Sequence, residues 1–361
     1  MGLEIAIIAD DLTGALDSAA PFAARGRRVA AALDPDALDE ALGIVGAATV
    51  VAVNTLTRHL DAAAAAAVAQ GAAARCVAAG ARLVLKKIDS RMRGNVGAES
   101  SAVARALGAG GLVVAPAVPA QGRIVASGFV RGVGVGAEGI DVRDRLGAAV
   151  AGLAVEIPDA RGDEDLDAVA ASCRARAGRV LAVGAHGLAA ALARQSGRDA
   201  RVDGPRFAPE PPVLVVVGSQ DPATAAQVAA LAACPGAATV IEARGGLLPS
   251  PPASPAFPVT VLRSAPGAGA AGDPAERFAA GAADWSAALR PRTLLATGGD
   301  TAAALLRHLG CRVLEVGGEA APGIPWSRVP GGATVLTKSG GFGGGTALLE
   351  LLLPPGDTAA V

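Results

Sequence analysis

Chemistry-bearing side chains gather at a few places in this chain, and the first is Asp10-Asp11 within Ile7-Ile8-Ala9-Asp10-Asp11-Leu12-Thr13-Gly14. Two carboxylates at the carboxyl end of an apolar run, just ahead of a helical stretch, can hold a substrate hydroxyl, bind a metal ion or act as a general base. A helix cap is the plainer alternative, but a cap needs only one Asp. Asn54-Thr55-Leu56-Thr57-Arg58 offers an amide, hydroxyls and a guanidinium in one segment. That set suits a polyhydroxy acid, with an ordinary polar turn as the alternative. The densest segment is Lys86-Lys87-Ile88-Asp89-Ser90-Arg91-Met92-Arg93-Gly94-Asn95, where four basic residues fall within eight positions. Such a cluster repels itself unless a carboxylate or phosphate sits among its members. Ala115-Pro116-Ala117-Val118-Pro119-Ala120-Gln121-Gly122-Arg123 reads as a rigid loop, a candidate wall of the same crevice.

Three later segments are of another kind: Gly218-Ser219-Gln220-Asp221, Thr297-Gly298-Gly299-Asp300-Thr301, and Lys338-Ser339-Gly340-Gly341-Phe342-Gly343-Gly344-Gly345. Small residues let backbone N–H groups approach phosphate oxygens, and a following helix adds positive potential. Taken singly, each is equally a tight turn. Together, with Lys338 as the only Lys of that half, they read as a phosphate cradle.

Regular elements must position these segments. Apolar runs at residues 3–9, 29–33, 49–53, 83–87, 112–115 and 180–183, then 213–217, 259–262, 293–296, 312–316 and 334–337, read as strands. Helical stretches are expected between them, at 61–79, 96–107, 163–177, 222–233, 274–289, 301–309 and 346–353. Strands alternating with helices predict an α/β fold with mainly parallel sheets, whose binding crevices lie at the strands' carboxyl ends. A Gly-, Pro- and charge-rich segment at 198–212 precedes a fresh strand, so we divide the chain near residue 205 into domains 1–205 and 206–361. The length of 361 residues allows two such domains.

Composition excludes several classes. The net charge is −1, Tyr is absent, and only six Phe and two Trp occur, so neither the basic footprint nor the stacking platforms of a nucleic-acid binder exist. Prolines interrupt the long uncharged stretches, which argues against a membrane helix, and no basic leader precedes the first apolar run. The four Cys and three His are scattered, so a zinc site is not expected and a reducing, cytoplasmic setting is. Gly-x-Gly-x-x-Gly occurs at Gly134-Gly136-Gly139 and at 267-269-272, but with 48 Gly in the chain about one match arises by chance. His186 reads as a helix-start or packed histidine.

The set of segments resembles the four-carbon acid sugar kinases, ATP-dependent enzymes acting on threonate, erythronate or 3-oxo-tetronate. The matching motifs are Ala-Asp-Asp-Leu-Thr-Gly-Ala, Asn-Thr-x-Thr-Arg, Lys-x-Asp-Ser-x-x-Arg-Gly followed by Glu99, Ala-Pro-Ala-x-Pro-x-x-Gly-Arg, Gly-Ser with Gln227 downstream, Thr-Gly-Gly-Asp-Thr and Lys-Ser-Gly-Gly-Phe-Gly, in family order from residue 5 to 346. The resemblance implies a sugar-acid-binding N-terminal domain, a nucleotide-binding C-terminal domain and an active site in the inter-domain cleft. It implies substrate contacts from Asp10, Arg58 and residues 90–93, and ATP contacts from Ser219, Gly298, Gly299 and residues 341–344. Our full set of expected substrate-side residues is Asp10, Asp11, Asn54, Arg58, Lys87, Asp89, Ser90, Arg91, Met92 and Arg93. On the nucleotide side it is Ser219, Gly298, Gly299, Asp300, Lys338, Gly341, Phe342, Gly343 and Gly344. Asp10 is the expected general base and Asp300 its rival, while Lys338 and Mg²⁺ are expected to neutralise the ATP phosphates. The expected partners are a sugar acid and ATP; a homo-oligomer is compatible with the sequence, and the metal ligands are left open. Two alternatives remain: a non-catalytic sugar-acid-binding or regulatory protein on the same scaffold, and a nicotinamide-dependent oxidoreductase suggested by the glycine patterns.

Overall fold

The computed structural model describes residues 3–45, 50–196, 207–267, 272–330 and 332–353. The chain divides into two compact units, Met1–Gly204 and Pro205–Val361. The boundary expected near residue 205, most of the linker ahead of it, and residue 269 of the second glycine pattern lie outside the described residues.

The first unit contains β1 (Ile5–Ala9), β2 (Val29–Ala32), β3 (Val50–Asn54), β4 (Leu83–Lys87), β5 (Gly111–Ala115), β6 (Arg123–Ala126), β7 (Phe129–Gly132), β8 (Ile140–Asp141), β9 (Ala154–Glu156) and β10 (Val180–Gly184). Seven of them form a parallel sheet in the order β2-β3-β1-β4-β10-β5-β9. Its central strands are buried from end to end, as expected when both faces of a parallel sheet are covered. The chain steps outward from β1 to β2, returns to β3 beside β1, then crosses to β4 on the other side. That reversal opens a crevice at the carboxyl ends of β1, β3 and β4.

The second unit contains β11 (Val213–Val217), β12 (Ala238–Arg244), β13 (Val259–Ala265), β14 (Thr293–Thr297), β15 (Val313–Ala321), β16 (Ile324–Arg328) and β17 (Thr334–Lys338). Their order is β12-β13-β11-β14-β17-β16-β15, parallel as far as β17 and antiparallel at β16 and β15. The opening reversal of the first unit recurs here, with β11 between β13 and β14. Val213, Val215 and Val217 of β11 join Val261, Leu295, Leu336 and Trp326 in the core of this unit.

The helices Val96–Leu107 and Pro274–Leu289 have the expected bounds, and the other expected helices agree within two residues. Several strands were not foreseen, and each lacks a clean apolar run. The strands β6, β7 and β8 form a small, partly exposed antiparallel sheet of their own. Gly134, Gly136 and Gly139 fall in the β7–β8 connection, not between a strand and a helix. β9 has three residues, β12 is a half-buried edge strand, and β16 contains Pro325, a residue that weighs against a strand reading.

Candidate functional site

In the first unit, sheet register decides which side chains can meet. Ala9 pairs with Asn54 on one side and with Lys87 on the other, so the segments after β1, β3 and β4 leave the sheet at one level. The segment after β3 folds back on β1 through Thr55 N–H to the Ala9 carbonyl (2.8 Å) and Thr57 N–H to the Asp10 carbonyl (3.1 Å). This brings Arg58 onto both carboxylates. Its Nε and Nη2 donate to Asp10 Oδ2 and Oδ1 at 2.8 and 2.7 Å, and its Nη1 donates to Asp11 Oδ2 at 2.9 Å. Asp11 is also the N-cap of the helix Leu12–Ala23, accepting from the Gly14 N–H at 2.9 Å. Burial alone would raise the Asp10 carboxyl, but the hydrogen bonds from Arg58 and the charges of Lys86, Arg58 and Lys87 outweigh it and hold Asp10 below the usual carboxylate range. Arg58 is correspondingly held in its charged form, its burial overcome by the same carboxylates.

The segment after β4 is wound around Asp89, whose carboxylate accepts from Arg91 N–H (2.9 Å) and from Arg93 Nη2 (2.6 Å). Burial opposes ionisation of Asp89, yet Arg93 and Arg58 keep it well below the ordinary range. Gly94 follows with φ +84°, and a Cβ there would stand 2.9 Å from Asp10 Oδ2, so only glycine lets this backbone pass so close to the carboxylate. The Arg91 guanidinium packs on Gly134 of the β7–β8 connection. Arg123, at the start of β6, is lowered by burial and by the charges of Arg91 and Arg93, and its buried Nε has no hydrogen-bond partner among the described residues. The cluster therefore holds the guanidinium groups of Arg58, Arg91, Arg93 and Arg123 against the carboxylates of Asp10, Asp11 and Asp89. It carries one positive charge in excess.

Other expected substrate-side residues are placed differently. Asn54 is fully buried, its amide donating to the Leu33 carbonyl and accepting from the Leu56 N–H, so it braces the segment after β3. The Met92 side chain is buried and φ is +58°, leaving only its backbone at the surface of the cluster. Lys87 is buried beneath Gly14 with Nζ 3.7 Å from Asp17 Oδ1. Ser90 is half-buried within the same turn. His186 begins the helix His186–Gln195, with Nδ1 3.0 Å from the Asp17 carbonyl oxygen. Behind the cluster, Lys86 and Glu99 form an ion pair at 2.9 Å with both side chains 1% exposed. The geometry of that pair is poor for a hydrogen bond, and Lys86 Nζ donates instead to the Lys87 carbonyl at 2.8 Å.

In the second unit β11, β14 and β17 are adjacent, so their following loops lie side by side. Ser219 follows β11, and its Oγ is so close to Gly340 that a Cβ at residue 340 would collide with it. Gly298 (φ +92°) is the N-cap of the helix Gly299–His308 and supplies no side chain to its open N–H groups, while Asp300 is exposed in the first turn. Residues 341, 343 and 344 are exposed glycines, and the Phe342 ring packs on Gly323 of the β15–β16 turn.

Lys338 departs from its expected place. It is fully buried, and its Nζ donates to Gly340 O (2.9 Å), Ser339 O (3.1 Å) and Thr224 Oγ1 (3.3 Å). All three ammonium protons are thus spent, two on the loop and one on Thr224 of the helix behind it. Burial pushes this group down to about 8, against the charge of Asp221. Gln227, also fully buried, donates through Nε2 to the carbonyls of Phe342 (2.9 Å), Gly343 (3.2 Å) and Gly344 (2.9 Å).

From the sequence Arg123 is expected only as a wall of the crevice, and Thr224, Gln227 and the Lys86–Glu99 pair carry no expected role. Thr224 and Gln227 are three apart on one helix face, a spacing visible in the sequence, but their partners are backbone carbonyls, which no residue pattern reveals.

Comparison with known proteins bears on both units. A family model described as a sugar-binding N-terminal domain matches residues 5–138, and one described as a nucleotide-binding C-terminal domain matches residues 251–348. Curated relatives include the D-threonate kinases of Bordetella bronchiseptica (32% identical) and Cupriavidus necator (33% identical), each alignment covering 95% of both chains. The 3-oxo-tetronate kinase of Burkholderia multivorans is 30% identical over 93% of this chain and 94% of its own. Solved structures from Salmonella typhimurium (TM-score 0.71) and Haemophilus influenzae (TM-score 0.67) cover 96% of this chain and 98% of theirs at 18% identity, a likeness of fold alone.

Proposed function

The chain belongs to the four-carbon acid sugar kinase family, and from that premise we propose that it transfers the γ-phosphoryl group of ATP to the terminal hydroxyl of threonate, erythronate or a 3-oxo-tetronate. The observation that carries this reading is the single excess positive charge of the cluster built on Asp10, Arg58 and Asp89. A four-carbon sugar acid brings one carboxylate and several hydroxyls. Arg91 and Arg123, which have no carboxylate partner among the described residues, hold its carboxylate in this account, and Ser90 with the loop backbone holds hydroxyls. Arg93 lends charge while tied to Asp89.

Both oxygens of Asp10 already accept from Arg58, yet each keeps a further lone pair. A carboxylate held so firmly ionised is a poor store for a proton and a good acceptor that orients the attacking hydroxyl. Phosphoryl transfer through a loose transition state asks mainly for positioning and charge neutralisation, so orientation is the larger service. In the second unit the amides of Gly340, Gly341, Gly343, Gly344 and Gly345 and the N–H groups at the start of the helix Gly299–His308 receive the phosphates in this reading, with Ser219 beside them, while the Gly298 N–H is already given to the Lys338 carbonyl. Lys338 supports the loop from behind it.

Mg²⁺ would add charge neutralisation at the phosphates when bound. Among the described residues no three His, Cys, Asp or Glu side chains gather as a cage. Mg²⁺ in such enzymes is commonly held by one or two carboxylates together with substrate phosphates, and Asp221, whose Oδ2 lies against Gly341, and Asp300 are the carboxylates of these loops.

Phosphorus NMR of the product tests the reading. With ATP and the preferred acid, a phosphate ester on the terminal carbon is expected. An acyl phosphate, or ATP hydrolysed with the acid unmodified, would overturn it.

A further inference from the structure

The loop of residues 339–345 contains five glycines, and a segment so rich in glycine has no intrinsic preference for one conformation. Its order must come from what holds it. Five of its carbonyls are held by buried side chains: that of Ser339 by Lys338, that of Gly340 by Lys338 and Thr224, and those of Phe342, Gly343 and Gly344 by Gln227, with backbone N–H groups of Phe342 and Ala347 adding to the hold on Ser339 and Gly344. Thr224 Oγ1 donates to Gly340 O at 2.7 Å. Thr224 and Gln227 both project from the helix Pro222–Ala232 and are fully buried. The orientation of the Gln227 amide is forced, since turning it over would set Oε1 against three carbonyl oxygens. Its Oε1 is itself buried without a partner, so this side chain is retained at a cost.

In a trans peptide the N–H points opposite to the carbonyl of the same unit. Capturing the five carbonyls on the helix side therefore turns the N–H groups of Gly340, Gly341, Gly343, Gly344 and Gly345 to the other side. None of these five donates a hydrogen bond among the described residues. We infer that Gln227, seconded by Thr224, is a positioning residue that aims the loop amides at the nucleotide phosphates by holding the loop's carbonyls. This rests on the nucleotide reading given above. Gln227 touches no phosphate; its effect passes through the amides it orients.

The test is titration calorimetry on the full chain with ADP and with adenosine, which differ only in the phosphates. Replacing Gln227→Met keeps the length and apolar bulk but removes both donors. ADP affinity is expected to fall roughly 10-fold or more while adenosine affinity stays within about two-fold, the scale of lost hydrogen bonds to a charged ligand. In steady state, KM for ATP rises while KM for the sugar acid does not. Thr224→Val, which removes one donor, gives the same selective loss in weaker form and serves should Gln227→Met fail to fold. Unchanged ADP affinity in a folded variant, or equal losses for ADP and adenosine, would overturn the positioning role while leaving the nucleotide reading intact. A wild-type chain that binds neither ADP nor adenosine would overturn both.

Discussion

The Arg58 guanidinium reaches two carboxylates from one loop, a geometry that a Lys cannot reproduce with its single ammonium. Arg58→Lys is expected to lower kcat/KM for the sugar acid by roughly 10²-fold, on the scale of losing a positioned charged donor, with KM for ATP unchanged. The same contacts set a pH dependence. The Asp10 carboxyl is lowered in the fold, so its ionised form persists as pH falls through the usual carboxylate range and is lost only below it. The pH profile of kcat/KM should then show no acidic limb from Asp10 above about pH 4, whereas in Arg58→Lys that limb moves upward. Asp300 is the rival: near-wild-type turnover in Asp10→Asn with none in Asp300→Asn would transfer the role. Arg123→Met should raise KM for the acid about 10-fold without moving KM for ATP. At this scale the sequence was readable where residue type and chemistry coincide, as at Asp10, Arg58 and Asp89. It was unreadable where a polar side chain serves the backbone. Asn54 looks like a ligand and is a brace, because its partners, the Leu33 carbonyl and the Leu56 N–H, are present at every position of any chain.

Strand ends carry the next level of organisation. All three lysines of the chain lie in the last two positions of β4 or β17, and all are buried: Lys338 steadies a loop from within the sheet, Lys86 donates to the Lys87 carbonyl beside Glu99, and Lys87 faces Asp17 of the first helix. Two consequences differ in kind. Lys86 and Glu99 are a buried pair, so Lys86→Met should destabilise the first unit by about 3–5 kcal/mol, and Lys86→Met with Glu99→Leu should recover most of that loss in urea unfolding. Lys338 is lowered from 10.5 to about 8, so between those values an unfolded chain binds the proton that the folded one releases, and this group's contribution to stability rises with pH there. The loop responds in the opposite sense, because a neutral amine has two protons for three acceptors. KM for ATP should therefore climb above about pH 8 in the wild type and show no such climb in Lys338→Met. The long parallel strands were legible as apolar runs bounded by Gly or Asp. The small sheet of β6, β7 and β8 was not, since short half-exposed strands have neither a full apolar run nor a clean alternation.

Across the whole molecule, both units open with the same arrangement, a first strand flanked by the third and fourth of its unit, and in both the candidate residues follow three strands that are neighbours in the sheet, β3, β1 and β4 in the first unit and β11, β14 and β17 in the second. That correspondence explains why motifs scattered from residue 5 to 346 resolve into only two clusters. A chain with 29 Arg and three buried Lys also makes a plain forecast: amine acetylation of the native protein should leave Lys86, Lys87 and Lys338 unmodified by mass spectrometry, with all three labelled after denaturation. Among the described residues no helix is long and apolar enough to cross a membrane. The central claim, phosphoryl transfer from ATP to a four-carbon sugar acid that depends on the Asp10 cluster, is tested most directly by coupled ADP release from the full chain. The panel is D- and L-threonate, D-erythronate and the 3-oxo-tetronates, each offered to the wild type and to Asp10→Asn. ADP release that requires one of these acids, and falls by roughly 10²-fold or more in the variant, is the predicted result; no acid-dependent ADP release with any of them, or equal rates in both proteins, would contradict the account.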